Sequence, residues 1–240
     1  MARRSVKTIR NDVDLSSVLK MPDELPKPFT PQLLFGSDAP LELEIGSGKG
    51  MFIRKAADQF PQHNFLGIEI GNKFARLCAA RLLGREQHNA VMVCGDAALI
   101  LQEYVPDDFL EAVHVYFPDP WWKRAHRKRR ILRTEVLQLI EQKLRFGGAL
   151  HFWTDVEEYF LSTLELLKER TKLLGPFDVP EKTAENEDDY RTHFERRTRL
   201  HGGTVFRCEF KRNNDCGTAN EKNGETGRRK SGQTGNLTQA

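Results

Sequence analysis

Residues 41–50 read LELEIGSGKG, a short apolar strand pattern that runs directly into a turn with three glycines. Residues 51–60 follow with the spacing of an amphipathic helix. A strand, a glycine turn and a helix open a nucleotide-binding βαβ unit, because glycines let the backbone approach a ligand and the helix N-terminus presents free N–H groups. The stretch predicts the first βαβ unit of an α/β fold, although a tight structural turn would explain the glycines alone equally well.

Further strands and helices alternate along the chain. Strands are predicted at 65–70, 90–94, 112–117 and 149–153, and helices at 72–83, 97–103, 131–144 and 156–174. A last strand is predicted at 204–210. This alternation predicts an α/β fold with a Rossmann-like, doubly wound and mostly parallel sheet.

The 240 residues are expected to form one main domain at 41–212. It is preceded by a basic, proline-rich extension at 1–40, in which the prolines argue against regular helix or strand. Residues 213–240 are rich in Gly, Asn, Thr and charge, and Leu237 is their only large apolar side chain. Such a composition cannot bury enough apolar surface to order a chain, so this tail is predicted to be disordered.

Composition narrows the class of protein. Hydrophobic residues make up 39% and charged residues 30% of the chain, as in soluble globular proteins. We expect no transmembrane helix, no secretory signal and no role at a membrane. The four cysteines form no CxxC pair, which favours reduced thiols over a disulfide or metal site. A cytoplasmic protein without a metal is predicted.

Five acidic residues fall at the carboxyl ends of five predicted strands: Glu44, Glu69, Asp96, Asp119 and Asp155. In parallel α/β sheets ligands bind at this edge. Carboxylates would repel the pyrophosphate of a dinucleotide, whereas S-adenosylmethionine offers a sulfonium, an ammonium, a ribose diol and an adenine amine. We assign Glu69 to the ribose, Asp96 to the adenine amine, and Glu44 with the glycine loop to the methionine end. Asp96 could instead be only a helix N-cap.

Residues 118–130 read PDPWWKRAHRKRR and place Asp119 between two prolines that stiffen the turn. Residues 121–133 contain seven Lys and Arg and no acid, whereas the whole chain has a formal charge of only +3. Tryptophans beside clustered arginines suit a polyanion with stackable bases, such as RNA. A solvated surface loop is the alternative, and Trp121 and Trp122 could stack on bases or belong to the core.

These motifs resemble those of the bacterial tRNA (guanine-N7)-methyltransferases. The resemblance covers roughly residues 30–211 and rests on EIGSGKG at 44–50, GIE at 67–69, PDPWWK at 118–123, TD at 154–155 and THFE at 192–195. The glycine motif is common to many methyltransferases, whereas PDPWWK and Thr-x-Phe-Glu are much more specific. His193 departs from the family pattern, which has a lysine or another polar residue there.

The resemblance implies a class I, S-adenosylmethionine-dependent enzyme that methylates N7 of guanine 46 in the variable loop of tRNA to form 7-methylguanosine. It implies Asp119 as the catalytic residue and no obligatory protein partner, with a monomer or homodimer. The implied cofactor-binding residues are Glu44, Gly46, Gly48, Glu69, Asp96 and Asp119. The implied substrate-binding residues are Lys123, Asp155, Thr192, His193, Phe194 and Glu195. The implied RNA contacts are Arg124, His126, Arg127, Lys128 and Arg129.

Guanine N7 carries a lone pair and no proton, so its methylation needs no general base. Positioning and electrostatics should then supply most of the rate, and Asp119 or Asp155 could hold the guanine N1–H and amino group. Three other functions stay open at this point. They are methylation of an exocyclic amine in adenine or cytosine, nicotinamide-dependent oxidation, and RNA binding without catalysis.

Overall fold

An eight-stranded sheet forms the centre of the structure, a computed structural model that describes residues 9–10, 12–85, 88–186 and 189–213. In chain order the strands are β1 (Leu19–Lys20), β2 (Leu41–Ile45), β3 (Asn64–Glu69), β4 (Ala90–Cys94), β5 (Leu110–Tyr116), β6 (Leu144–Thr154), β7 (Leu174–Asp178) and β8 (Phe206–Lys211). Across the sheet they lie in the order β1-β4-β3-β2-β5-β6-β8-β7. β8 runs antiparallel to β6 and β7, and the other neighbours are parallel. The predicted Rossmann-like α/β fold is confirmed.

Helices cover both faces of the sheet. They are α1 (Pro31–Phe35), α2 (Met51–Gln59), α3 (Asn72–Leu83), α4 (Ala97–Glu103), α5 (Thr134–Lys143), α6 (Glu157–Arg170) and α7 (His193–Leu200), with 3-10 turns at Pro22–Glu24 and Arg124–Arg129. Phe52 and Ile53 of α2 and Leu82 of α3 belong to the buried apolar cluster on one face. Ile100 of α4 and Ile140 of α5 belong to the larger cluster on the other. Burial on both faces explains why the central strands are almost wholly apolar.

The order of the strands reverses between β2 and β5. From β2 the chain proceeds through β3 to β4 on one side, and from β5 it proceeds to β6 on the other. Ligands of open α/β sheets bind in the crevice at such a reversal, outside the carboxyl ends of the strands. The glycine loop (residues 46–50) follows β2 and the segment PDP at 118–120 follows β5, so both motifs border this crevice.

Two glycines allow the glycine loop to pack closely. Gly50 has a φ of 70°, and a Cβ built on it would lie 2.1 Å from Sγ of Cys78 in α3. A Cβ on Gly67 of β3 would lie 2.6 Å from Oγ of Ser47 in the loop. A side chain at either position would force the loop or its neighbours to move, so these glycines allow the loop to lie close to β3 and α3.

The N-terminal segment is more regular than its prolines predicted. The expectation of no helix or strand in residues 1–40 is wrong, because β1 pairs with β4 and α1 forms one short helix. Proline is tolerated in the first turn of a helix, where its missing N–H has no partner to lose. Pro31 occupies that position, after Thr30, whose side chain accepts a hydrogen bond from the Leu33 N–H.

Side chains of this segment are also buried in the clusters of the main domain: Leu15, Val18, Leu25 and Phe29. The domain boundary at residue 41 stays a prediction. Residues 214–240, nearly all of the predicted disordered tail, lie outside the described residues.

Other elements differ from the prediction in their ends, and one helix was not predicted. The predicted helix at 156–174 is wrong beyond residue 170, because α6 ends there and β7 follows as an edge strand. The Thr171 hydroxyl donates a hydrogen bond at 2.7 Å to the Leu167 carbonyl, one of the last carbonyl groups of the helix. β6 begins at Leu144, before the glycine pair expected to precede it. α7 was not predicted at all.

We expect Gly50→Ala to destabilise the protein more than Gly36→Ala. Gly36 has nearly the same φ, 71°, but open space around its Cβ position, so its substitution costs only backbone strain, about 1–2 kcal/mol. Gly50→Ala adds overpacking against Cys78, about 1–3 kcal/mol more. Urea unfolding of both variants measures the difference, and equal losses of unfolding free energy would show that the loop moves without cost.

Candidate active site

Five carboxylates line the carboxyl edge of five adjacent parallel strands. Glu44 lies in β2 and Glu69 ends β3, while Asp155 directly follows β6. Asp96 and Asp119 lie in the turns after β4 and β5. Because the strands are adjacent, the order across the edge is Asp96, Glu69, Glu44, Asp119 and Asp155. A row of acids in one crevice favours a ligand with positive or hydrogen-donating groups.

Glu69 is held in place by two backbone amides. The Gly48 N–H donates to Oε2 at 2.9 Å and the Gly71 N–H donates to Oε1 at 2.8 Å. Gly46 and Gly48 have φ values of 80° and 53°, a region that glycine adopts without strain, and this turns the loop toward Glu69. A carboxylate has about four acceptor positions, so Glu69 can still accept bonds from two hydroxyl groups.

Glu44 is a buried carboxyl group with an open acceptor. Within the described part of the chain, Glu44 Oε2 and Ser47 Oγ are buried and have no hydrogen-bond partner. Burial, with a smaller contribution from the charge of Glu69, raises the pKa of Glu44 to about 8. A buried carboxyl with one open oxygen beside a glycine loop suits a cationic group, which would stabilise its ionised form. The site therefore fits the amino-acid end of S-adenosylmethionine.

Asp96 is the N-cap of α4, as the simpler interpretation of the sequence expected. Its Oδ1 accepts hydrogen bonds from the N–H groups of Ala98 at 2.7 Å and Leu99 at 3.4 Å. Both bonds go to one oxygen. The side chain is exposed at the crevice, so the cap does not exclude a contact of the other oxygen with a ligand.

Asp119 lies on a strained, exposed turn. Phe117 and Trp121, on either side of the PDP segment, have φ values of 50° and 46°, which are uncommon for residues other than glycine. Such strain persists only where the surroundings impose it, and it concentrates at functional sites. The Phe117 N–H donates to the Trp153 carbonyl at 2.8 Å and extends the pairing of β5 with β6 up to the turn.

Neither tryptophan after this turn belongs to the core. Trp122 is 67% exposed. Trp121 is partly exposed and packs at its edge against His126, with ring centres 5.9 Å apart, while the Arg129 guanidinium lies 5.0 Å from its ring centre. The core interpretation of Trp121 and Trp122 is wrong, and both rings are accessible at the border of the crevice.

The basic residues form one 3-10 helix, Arg124–Arg129, preceded by the exposed Lys123. Arg124, Arg127, Lys128 and Arg129 are exposed, and His126 is partly buried. Arg127 also forms an ion pair with Glu158 of α6 at 3.3 Å. The cations of the 3-10 helix are thus accessible to solvent a few residues after Asp119, whereas Arg130, which follows them, is buried.

The THFE segment forms the start of α7, and two of its residues make internal contacts. Thr192 is the N-cap, because its hydroxyl accepts a bond from the Glu195 N–H at 3.0 Å. Glu195 is buried, accepts from the Arg191 N–H at 2.7 Å and forms an ion pair with Arg199 at 3.2 Å. A role of Thr192 and Glu195 in substrate binding stays a prediction.

The other two residues of the segment face outward. Phe194 is 49% exposed and stacks on Phe117, with ring centres 6.0 Å apart and planes 19° apart. His193 is exposed at its edge, and partial loss of hydration around its ring, followed by the positive charges of Arg81 and Lys49, lowers its pKa. The Thr198 hydroxyl of α7 donates to Asp155 Oδ2 at 3.2 Å, so this helix and the β6 end share one border of the crevice.

A buried polar chain that the sequence did not reveal supports the α7 segment. The Arg191 guanidinium donates to the Tyr116 hydroxyl at 2.8 Å, and Tyr116 bonds His114 at 2.9 Å. His114 and His63 then bond the two oxygens of Glu42, each at 2.6 Å. Arg191 directly precedes THFE, and this adjacency was the only sequence signal that could have pointed to it.

Comparison with known proteins agrees with this geometry. A protein-family model described as "Putative methyltransferase" matches residues 38–208. A curated tRNA (guanine-N(7)-)-methyltransferase of Rhodopirellula baltica is 45% identical over 88% of this chain and 80% of its own. One from Idiomarina loihiensis is 36% identical over 75% of this chain and 74% of its own. The chain belongs to the tRNA (guanine-N7-)-methyltransferase family.

The fold of this family member is also found among solved structures. A crystal structure of a SAM-dependent methyltransferase from Aquifex aeolicus matches with a TM-score of 0.50 and 10% identity, over 72% of this chain and 82% of that chain. At this identity the likeness concerns the fold alone. Neither a membrane-spanning helix nor a metal-binding group is found among the described residues. No helix there is long and apolar enough to cross a membrane, and no group of three or more His, Cys, Asp or Glu is arranged for a metal ion.

We expect S-adenosylmethionine binding near pH 7 to release protons from Glu44. With a pKa of about 8 the free carboxyl is mostly protonated at pH 7, and a bound cation lowers its pKa, so up to about one proton leaves. Calorimetry in buffers of different ionisation enthalpy measures this number. Glu44→Gln should abolish the buffer dependence, whereas Glu111→Gln, at the amino end of β5, should preserve it. Buffer-independent heat in the unaltered protein would contradict the assignment.

Proposed function

We propose that this protein transfers a methyl group from S-adenosylmethionine to N7 of a guanine in tRNA. The observation that supports this best is the crevice itself. Glu44, a buried carboxyl on β2 that suits a cation, lies on the strand next to β5. The exposed Asp119 follows β5, and the exposed basic 3-10 helix follows Asp119 within a few residues. The family of the chain and the names of its relatives support the same activity.

Glu44, Gly46, Gly48 and Glu69 would hold S-adenosylmethionine, with Asp96 and Asp119 at the borders of the site. When bound, this molecule supplies a methyl group activated by a sulfonium. Glu69 is fixed by two amides and presents its remaining acceptors to the ribose hydroxyls. Glu44 is mostly protonated near pH 7 without a cation and ionises beside one, which favours a cationic ligand over a neutral one.

Guanine is held by carboxylates. Its N1–H and amino group are donors, and Asp119 lies on a turn that prolines and strained residues keep rigid. Guanine N7 needs no deprotonation, so Asp119 acts by orienting the base and not by removing a proton. Asp155 accepts a hydrogen bond from the Thr198 hydroxyl of α7, and Phe194 of the same helix stacks on Phe117, next to the Asp119 turn. The accessible ring of Phe194 offers a surface on which a base can stack.

The RNA strand lies along the basic 3-10 helix. Lys123, Arg124, Arg127, Lys128 and Arg129 are exposed there, and His126 lies among them. Their charges suit the phosphates on both sides of the target guanine. By resemblance the target is guanine 46 of the variable loop, and the place of action is the cytoplasm, where tRNA resides. The protein acts as a monomer or homodimer through the domain at residues 41–212, without a metal.

Nucleoside analysis of tRNA after incubation with protein and S-adenosylmethionine tests the proposal. We expect 7-methylguanosine in an unmodified tRNA transcript and none in a transcript with adenine in place of guanine 46. A methylated exocyclic amine of adenine or cytosine would indicate the alternative chemistry. Binding of tRNA without any methylated nucleoside would indicate a non-catalytic module.

Asp119→Ala is expected to lower turnover on the order of 10²-fold, because a bound but misaligned base forfeits the orientation that speeds the reaction. The fold should persist, since the side chain is exposed, and tRNA affinity should stay near normal. Asp119→Asn should be milder because it keeps one acceptor. Asp178→Ala, an exposed acid in β7, is the matched control. Near-normal turnover of folded Asp119→Ala would transfer the orienting role to Asp155.

A further inference from the structure

We propose that Arg130 is a positioning residue that holds the Asp119 turn in its working geometry, and that it belongs to the active site and not to the RNA-binding surface. The inference rests on the proposed function and adds a residue to it. In this proposal the exposed residues 123–129 bind RNA, whereas the buried Arg130 holds the turn.

The surroundings of Arg130 differ from those of the other arginines in the run. Arg130 is only 7% exposed. Its guanidinium lies over the ring of Tyr159 at 4.5 Å, and Nη2 pairs with Glu158 Oε2 at 2.7 Å. Nη1 lies 3.3 Å from the Ser162 hydroxyl. Three residues of α6 thus fix the guanidinium in one orientation, which removes it from contact with phosphates.

The third guanidinium nitrogen, Nε, reaches the Asp119 turn. Nε of Arg130 donates to the Pro120 carbonyl at 2.8 Å, on the residue directly after Asp119. Arg130 therefore connects this turn to α6, and α6 begins just after Asp155. The two carboxylates that would meet the guanine are thereby tied to one helix.

The turn needs such a brace from outside. Pro118 and Pro120 have no N–H groups, so they cannot donate backbone hydrogen bonds within the turn. Phe117 and Trp121 are both in the left-handed region, so the backbone on each side is strained. A strained segment with few donors relaxes unless other groups hold it. The Pro120 carbonyl is the acceptor by which Arg130 holds it.

Glu158 connects this brace to the RNA-binding surface. Its Oε1 pairs with the exposed Arg127 at 3.3 Å, and its Oε2 pairs with Arg130 at 2.7 Å. Substitution of Glu158 should therefore disturb both RNA affinity and turnover. Substitution of Arg130 should disturb turnover alone, and this difference separates the two roles.

Arg130→Lys is the main test. Lysine keeps the charge but lacks the planar fork of donors, so it cannot reach Pro120, Glu158 and Ser162 together. We expect turnover at saturating tRNA and cofactor to fall on the order of 10²-fold, the size expected for misplacement of the reacting groups. The KM for tRNA and the salt dependence of tRNA binding should stay within about twofold of those of the unaltered protein, because the contacts with phosphates do not change. Arg145→Lys, at a surface ion pair with Glu111, is the matched control and should leave all values unchanged.

A second measurement does not depend on activity. The indole N–H signals of Trp121 and Trp122 in a tryptophan-labelled NMR spectrum report the turn directly. They should shift or broaden in Arg130→Lys and stay in place in Arg145→Lys. If Arg130→Lys does not fold, Ser162→Ala, which removes one anchor of the guanidinium, should move the same signals and lower turnover severalfold.

The outcomes are distinct. Unchanged indole signals, turnover within twofold of normal, or a loss of tRNA affinity with a flatter salt dependence would each overturn the role of Arg130. If the unaltered protein does not methylate tRNA but the indole signals still move in Arg130→Lys, the brace is upheld and the proposed function is refuted instead.

Discussion

The close packing of the glycine loop against β3 and α3 is the constraint on which the site depends. Ser47 can lie over β3 because Gly67 has no side chain, and Gly50 can lie against Cys78 for the same reason. This position brings the Gly48 N–H to Glu69 and leaves Glu44 buried below the loop. A methyl group at Gly50 or Gly67 would push the loop away, and this would change the hydrogen bond that orients Glu69 and the burial that keeps Glu44 protonated.

Acidic and basic side chains are concentrated at different parts of the crevice. Three of the five acids lie at the ends of β4, β3 and β2, whereas the basic 3-10 helix follows Asp119 beyond the end of β5. A polyanion is therefore attracted most strongly to the side of the basic helix, and a small cationic ligand to the side of these three acids. Asp119 lies at the border between these regions, where a bound base and a bound methyl donor would meet.

The walls of the crevice are braced from inside the protein. Arg130 ties the Asp119 turn to α6, and Arg191 ties the start of α7 to Tyr116 in the sheet. The Arg191 chain continues through His114 to Glu42, whose pKa is lowered by hydrogen bonds from His114 and His63 despite the opposing effect of burial. Both braces use an arginine that is adjacent in sequence to a functional motif but points inward.

The fold class, the order of the main strands and helices, and the family could all be predicted from the sequence. These depend on local patterns: apolar strands, helical spacing, glycine turns and the motifs at strand ends. Which polar residues point inward became visible only in the folded chain. Arg129 and Arg130 are neighbours of the same type, yet one lies beside Trp121 at the surface and the other is buried against Tyr159. Thr192 and Glu195 belong to a substrate-binding motif by resemblance, but the structure gives them helix-capping and ion-pair contacts.

The short elements β1, β7, α1 and α7 were likewise missed, because their formation depends on distant partners and caps more than on their own composition. The orientation of a side chain depends on the elements that pack around it, and residues far apart in the sequence supply those elements. That is why the sequence predicted the crevice and its acids, and only the fold assigned the residues that hold them in place.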